Sequence, residues 1–121
     1  MSYGVDVSSK PYTNGNLTNV TKANDRPSCR LNSSQSTYLA KQGYPYHSGI
    51  SVHTAGSKAI AMHTVTIPPG AREKAHLHRD HETTVYLISG EIKLWFGENL
   101  EESCFMHDGD FLYIPQNVPH L

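Results

Sequence analysis

Residues 76–96 read HLHRDHETTVYLISGEIKLWF, and the rhythm of this stretch decides the fold class. From Glu91 to Phe96 the apolar residues alternate, so an extended chain carries Ile92, Leu94 and Phe96 on one face. Just before it, Val85-Tyr86-Leu87-Ile88 is another short apolar run. Ser89-Gly90 lies between the two runs and suits a tight hairpin, with glycine supplying a positive φ. Working outward, the same short runs recur at 50–54, 59–67, 83–88, 91–96, 102–106 and 111–114. Turn residues separate them: Gly56-Ser57, Pro68-Pro69-Gly70, Gly97-Glu98-Asn99, Asp108-Gly109 and Pro115 through Pro119. Strands of this length with such regular punctuation predict an antiparallel sandwich or barrel. No amphipathic segment of helical length competes, so the fold class is all-β.

The chain has 121 residues, enough for one domain with one hydrophobic core. Residues 1–42 are rich in Asn, Ser and Thr and poor in large aliphatic side chains. Such a segment buries too little apolar surface to offset its ordering entropy, and it is expected to be an extended or partly disordered arm. It is either a solvated tail or an arm that adds a strand to a sheet edge. Residues 43–121 form the folded domain. A formal charge of −1 argues against a nucleic-acid surface or an electrostatic membrane anchor. No run is long and apolar enough to span a bilayer and no apolar leader follows Met1, so a cytoplasmic location is expected. Cys29 and Cys104 are too few and too far apart for a disulfide scaffold and are expected to be free thiols.

Eight histidines stand out in this composition. His76 and His78 are two apart, so on an extended segment both imidazoles project from one face. That spacing lets two nitrogens converge on one ion at about 2.0–2.1 Å each. Glu82 opens the next apolar run, where its carboxylate can swing back to the same point. His120, after the Pro115–Pro119 turn, is placed to supply a fourth donor. His53 and His63 fall in expected strands and are taken as wall histidines, while His47 and His107 lie in turns. Tyr86, Trp95, Phe96, Phe111 and Tyr113 are most simply packing residues. Tyr86 and Tyr113 are also candidates to face the metal with their phenols.

Taken together these residues resemble a known family. Gly70, five residues, His76-Leu77-His78, three residues and Glu82 resemble the first cupin motif, Gly-x5-His-x-His-x3,4-Glu-x6-Gly. Gly109, five residues, Pro115, Asn117 and His120 resemble the second, Gly-x5-Pro-x-Gly-x2-His-x3-Asn. The resemblance implies a jelly-roll β-barrel of the RmlC-like cupin type holding one metal near its wider interior. Three departures matter. Seven residues, where the family has six, separate Glu82 from Gly90. Either the loop is displaced by one residue or the family position falls on Thr83; threonine is a poor ligand, so Glu82 is kept, with His81 its rival. Asn117 stands in place of the second motif's glycine, a mild change because Asn tolerates the left-handed conformation. Leu121 directly follows the last ligand, where the family continues, so a barrel incomplete at its C-terminal side is anticipated. Its edges would then be covered by the arm, a partner subunit or further residues.

The expected centre is therefore one divalent transition metal on His76, His78, Glu82 and His120. Mixed N/O ligation suits Fe or Mn foremost, and also Ni, Co or Zn. Four protein ligands leave two adjacent positions on a six-coordinate ion. Together with the family resemblance, that points to a dioxygenase-like oxidoreductase acting on a small oxygenated organic substrate, with Glu82 as ligand and proton acceptor. The alternatives are a Lewis-acid isomerase or lyase and a non-catalytic module that binds a metal or small ligand. A homodimer is expected, because pairing covers exposed strand edges.

Overall fold

The computed structural model describes residues 28–33, 37–39 and 44–121. Its elements are β1 (Thr37–Leu39), β2 (Pro45–Ile50), α1 (Val52–Ala55), β3 (Met62–Val65), β4 (Thr83–Tyr86), β5 (Glu91–Phe96), β6 (Glu102–His107) and β7 (Phe111–Ile114). Most of the anticipated N-terminal arm lies outside the described residues; within it, Thr37–Leu39 form β1. The described residues fall into two compact units, one including His47–Thr64 and the other including residues 44–46 and Val65–Leu121. Among the described residues the fold is all-β, with a single helical turn.

That turn corrects one expectation. Residues 50–54 were anticipated as a strand, but β2 ends at Ile50 and α1 begins at Val52. Ser51 is the reason: its hydroxyl accepts from the Thr54 amide at 3.2 Å, and the Thr54 hydroxyl accepts from the Ser51 amide at 2.8 Å. This reciprocal cap satisfies two donors that a helix start otherwise leaves unpaired. Gly56 closes the turn in the left-handed conformation at φ 67°. His53 consequently sits on an exposed helical turn, whereas His63 does lie in a strand, β3, with an exposed side chain. β1, β2 and β3 form a three-stranded sheet in that order.

In the second unit the pairing is nested. β4 pairs antiparallel with β7, and β5 pairs antiparallel with β6. The chain from Thr83 to Phe96 is thus one side of a long ribbon and Glu102 to Ile114 is the other. Ser89-Gly90 is therefore no hairpin between β4 and β5; it is the corner at which this ribbon bends from one ladder to the next. Leu87 donates to the Asp110 carbonyl at 3.1 Å and Gly109 donates to Leu87 at 2.8 Å, which carries the outer ladder up to the corner. There the Asp108 carboxylate accepts from the Gly90 amide at 2.6 Å in place of a backbone carbonyl. A ribbon bent in this way is the jelly-roll pattern. Among the described residues the ladders do not close into one ring.

The registers locate an extra residue. Thr83 faces Ile114 and Glu91 faces His107, so eight steps on one strand correspond to seven on the other. The unmatched residue lies between Leu87 and Gly90, where Gly90 adopts φ 105°, a bulge-like accommodation. At the β5–β6 turn Gly97 (φ 106°) is equally constrained, because a Cβ there would lie 2.7 Å from the Glu101 carboxylate.

Cross-strand pairing also sorts the faces. Ile92 faces Met106 and Leu94 faces Cys104 across β5 and β6. Met106 is buried, and so is Ile114 on β7. Leu94, Phe96, Leu112 and Ile114 line a common cleft of about 490 Å³, so they define the inward side of both ladders. The opposite side of β5 carries Lys93 and Trp95. The Lys93 ammonium and the Arg72 guanidinium lie 4.7 and 5.1 Å from the indole centroid, contacts worth about 0.5–1 kcal/mol each at an exposed site. Arg72 thereby packs on Trp95. The opposite side of β4 and β7 bears Tyr86 and Phe111, whose rings are 4.7 Å apart and exposed. Cys29 and Cys104 are free. No helix among the described residues is long and apolar enough to cross a membrane.

Candidate metal centre

The last residues of the chain build the site by joining two neighbours. His76 and His120 exchange backbone hydrogen bonds at 3.0 and 2.9 Å. Trp95 and Leu121 do the same at 3.0 and 2.9 Å, and Gly97 donates to Pro119 at 3.1 Å. The segment from Pro119 to Leu121 therefore lies between the His76 segment and β5, with His120 opposite both His76 and Phe96. Directly opposed residues of an antiparallel pair project to one side. His76, His120 and Phe96 therefore share a face, which is the cleft-facing side of β5. His78, two residues on from His76, joins them.

The Pro115–Pro119 turn sets this register. Asn117 adopts φ 61°, the left-handed conformation for which the sequence marks it, and its amide donates to the His78 carbonyl at 2.8 Å. A short turn thus ties both histidine-bearing segments together.

Donor nitrogens of His76, His78 and His120 all lie within 4.8 Å of one another. Ring centroids are 4.4 Å apart for His76–His120, 5.1 Å for His76–His78 and 5.4 Å for His78–His120. Two ligands at about 2.1 Å from one ion are at most about 4.2 Å apart, so small ring rotations close the triad on a metal. Two of the rings are held by the same local device. His76 Nδ1 donates to the Lys74 carbonyl at 2.9 Å, and His120 Nδ1 donates to the Val118 carbonyl at 2.8 Å. A carbonyl can only accept, so each Nδ1 bears the proton and each Nε2 is left as the Lewis base. Backbone carbonyls in this role fix the tautomer and orientation of ligating histidines. Sequence inspection gives no hint of these partners, because every residue offers a carbonyl.

Electrostatics favour the same state. Burial lowers the pKa of His78, and the neighbouring His81, His76 and His120 lower it further. His78 is thus kept neutral and able to donate a lone pair. His120 is buried, an expensive position for an imidazole without partners. The donor set, its tautomers and its spacing fit a divalent transition metal.

The family model for the cupin domain matches residues 63–121. Residues 63–121 are a cupin domain. No curated protein and no solved structure matched the chain. Of the four positions that the cupin motifs mark, the fold gathers His76, His78 and His120. Glu82 is outside this group: its carboxylate accepts a hydrogen bond from the Tyr113 hydroxyl at 2.6 Å. That bond holds the Tyr113 pKa above its ordinary value, because losing the proton would set two anions side by side. His81 stands beside His78, with ring centroids 4.5 Å apart. The extra residue between Glu82 and the cupin glycine at Gly90 coincides with the unmatched residue of the ribbon. Tyr86 and Tyr113 are both exposed, on the side of their strands away from Ile114.

Proposed function

We propose that this cupin is a metal-dependent oxidoreductase, dioxygenase-like, acting on a small oxygenated organic substrate. The observation that carries the reading is the triad of His76, His78 and His120, two of whose rings are oriented by backbone carbonyls so that Nε2 is the donor. A bound Fe or Mn ion would supply Lewis acidity and one-electron chemistry there. The chain's own residues supply the surroundings. Phe96 and Pro119, beside His120, belong to the wall of a cleft of about 490 Å³, which Leu94, Leu112, Ile114 and Val118 line together with Glu98, Glu101 and Glu102; the three histidines stand next to this cleft and are not among its lining residues. A volume of this order suits a small organic molecule. The turn at Asn117 keeps His120 in register with His76, so the triad is positioned before a ligand arrives. A homodimer belongs to the same proposal, supported by the exposed Tyr86, Ile88 and Phe111.

The test is oxygen consumption. Protein loaded with Fe(II) without air is challenged with enediols, β-diketones and catechols in an oxygen electrode. Uptake with at least one class, absent from the His76→Ala/His78→Ala variant, is the expected result. Metal binding without oxygen uptake by any class would contradict the oxidoreductase and turn the assignment to Lewis-acid isomerisation or to ligand binding.

A further inference from the structure

We propose that Glu102 sets the substrate class of this centre, which takes a small molecule with chelating oxygens at one end and an ammonium group at the other. The inference rests on the triad being a metal site, as proposed above, and gives the substrate of that site a charge.

Strand register carries the placement. Glu102 on β6 is paired with Phe96 on β5, Phe96 is opposed on its other side by His120, and His120 by His76. Directly opposed residues on neighbouring antiparallel segments project to one side. Glu102, Phe96, His120 and His76 therefore form one row across four adjacent segments. The same side of β5 and β6 carries Ile92 and Met106, and Met106 is buried. Neighbouring segments lie about 4.8 Å apart, so the backbone of Glu102 is about 10 Å from that of His120, with Phe96 between them. A small molecule held by its oxygens at the triad spans that gap over the Phe96 ring.

Charge carries the class. The cleft beside the triad is lined by Glu98, Glu101 and Glu102 and, among the described residues, by no Lys or Arg. These three carboxylates are not equivalent. Glu101 accepts a hydrogen bond from the Asn99 amide at 2.8 Å and so serves the β5–β6 turn. Glu98 belongs to that turn, beyond the end of β5. Glu102 lies in the row with His120, and among the described residues its carboxylate has no hydrogen-bonding or ionic partner. It also stands outside the converging donor group, so it is no ligand of the ion and is left to act on the far end of a bound molecule. An exposed carboxylate at this place attracts an ammonium group and repels a second carboxylate.

Binding of three catechols tests this without turnover. Full-length protein carrying Fe(III) is titrated in the absence of air with dopamine, ethylcatechol and homoprotocatechuate, which share the chelating head and end in a positive, a neutral and a negative group. The charge-transfer absorption of the iron catecholate reads out binding. Wild type should bind dopamine about tenfold more tightly than homoprotocatechuate, with ethylcatechol between them, and added salt should shrink the difference. Glu102→Gln should bring dopamine and homoprotocatechuate within about threefold of each other, and Glu102→Lys should reverse their order, both with the iron content of the wild type. Glu91→Gln, on the opposite side of β5, should leave the preference unchanged. Equal binding of the three by wild type, binding of none of them by iron-loaded protein, or a preference that survives in Glu102→Gln would overturn the inference and leave the triad intact. Protein that takes up no metal would instead overturn the proposed function itself. Circular dichroism of each variant checks that the fold is retained.

Discussion

Replacing Asn117 by alanine should destabilise the domain although the side chain is exposed and no packing is lost. The backbone there has φ 61°, and a residue with a Cβ pays about 1–2 kcal/mol to adopt that region, asparagine less than most. Alanine should therefore cost about 1 kcal/mol relative to asparagine. Glycine escapes the strain but gives the unfolded chain extra entropy worth about 0.4–1 kcal/mol. The two effects nearly offset each other, and Asn117→Gly should fall within about 0.5 kcal/mol of the wild type. Valine, with a branched Cβ, should cost more than alanine. With a denaturant slope of about 2 kcal/mol per molar urea, the alanine variant loses about 0.5 M at the midpoint. Urea unfolding followed by the fluorescence of Trp95, the single tryptophan, measures this; a chelator keeps metal binding from contributing. Trp95 is a suitable reporter because its amide bonds Leu121, next to His120. Equal midpoints for the asparagine, glycine, alanine and valine forms would refute the assignment of a left-handed backbone at this turn.

Two other perturbations follow from the same geometry. Ile114→Ala removes one of the few buried apolar side chains; because Ile114 borders the open cleft, the space left joins that cleft, and the loss should sit near the low end for such truncations, about 2 kcal/mol by urea unfolding. The depressed pKa of His78 means that, below its ordinary value of 6.5, the unfolded chain binds more protons than the native one. Stability of the metal-stripped protein should therefore fall as pH drops through 6.5, and urea midpoints at about pH 7.5, 6.5 and 5.5 should decline less steeply in His78→Gln.

Much of this fold is legible in the residues. The alternation of Ile92, Leu94 and Phe96 marks β5 at its observed bounds, and Phe111–Ile114 is likewise a strand as expected. Two local errors have physical causes. Residues 50–54 are β-rich by composition, but the hydroxyls of Ser51 and Thr54 cap each other's amides and turn the chain helical. Ser89-Gly90 has hairpin chemistry, yet β4 finds its partner in β7, a pairing that local sequence does not specify. The histidine triad is visible as spacing because His76 and His78 share a face and His120 follows a turn. The carbonyls of Lys74 and Val118 that orient two of its rings are not visible, since backbone groups leave no compositional trace. Glu82 illustrates the limit of a motif: its separation from Gly90 shows that one residue is extra, but only the hydrogen bond from the Tyr113 hydroxyl shows where its carboxylate is engaged.

The proposed function depends on a metal held by His76, His78 and His120. Elemental analysis of protein purified without an affinity tag, beside the His76→Ala/His78→Ala variant, reads this out. About one equivalent of a divalent transition metal per chain in the wild type, lost in the variant, is the predicted result. A folded wild type that takes up no metal even after reconstitution with Fe(II), Mn(II) or Zn(II) would rule out a metal at this triad.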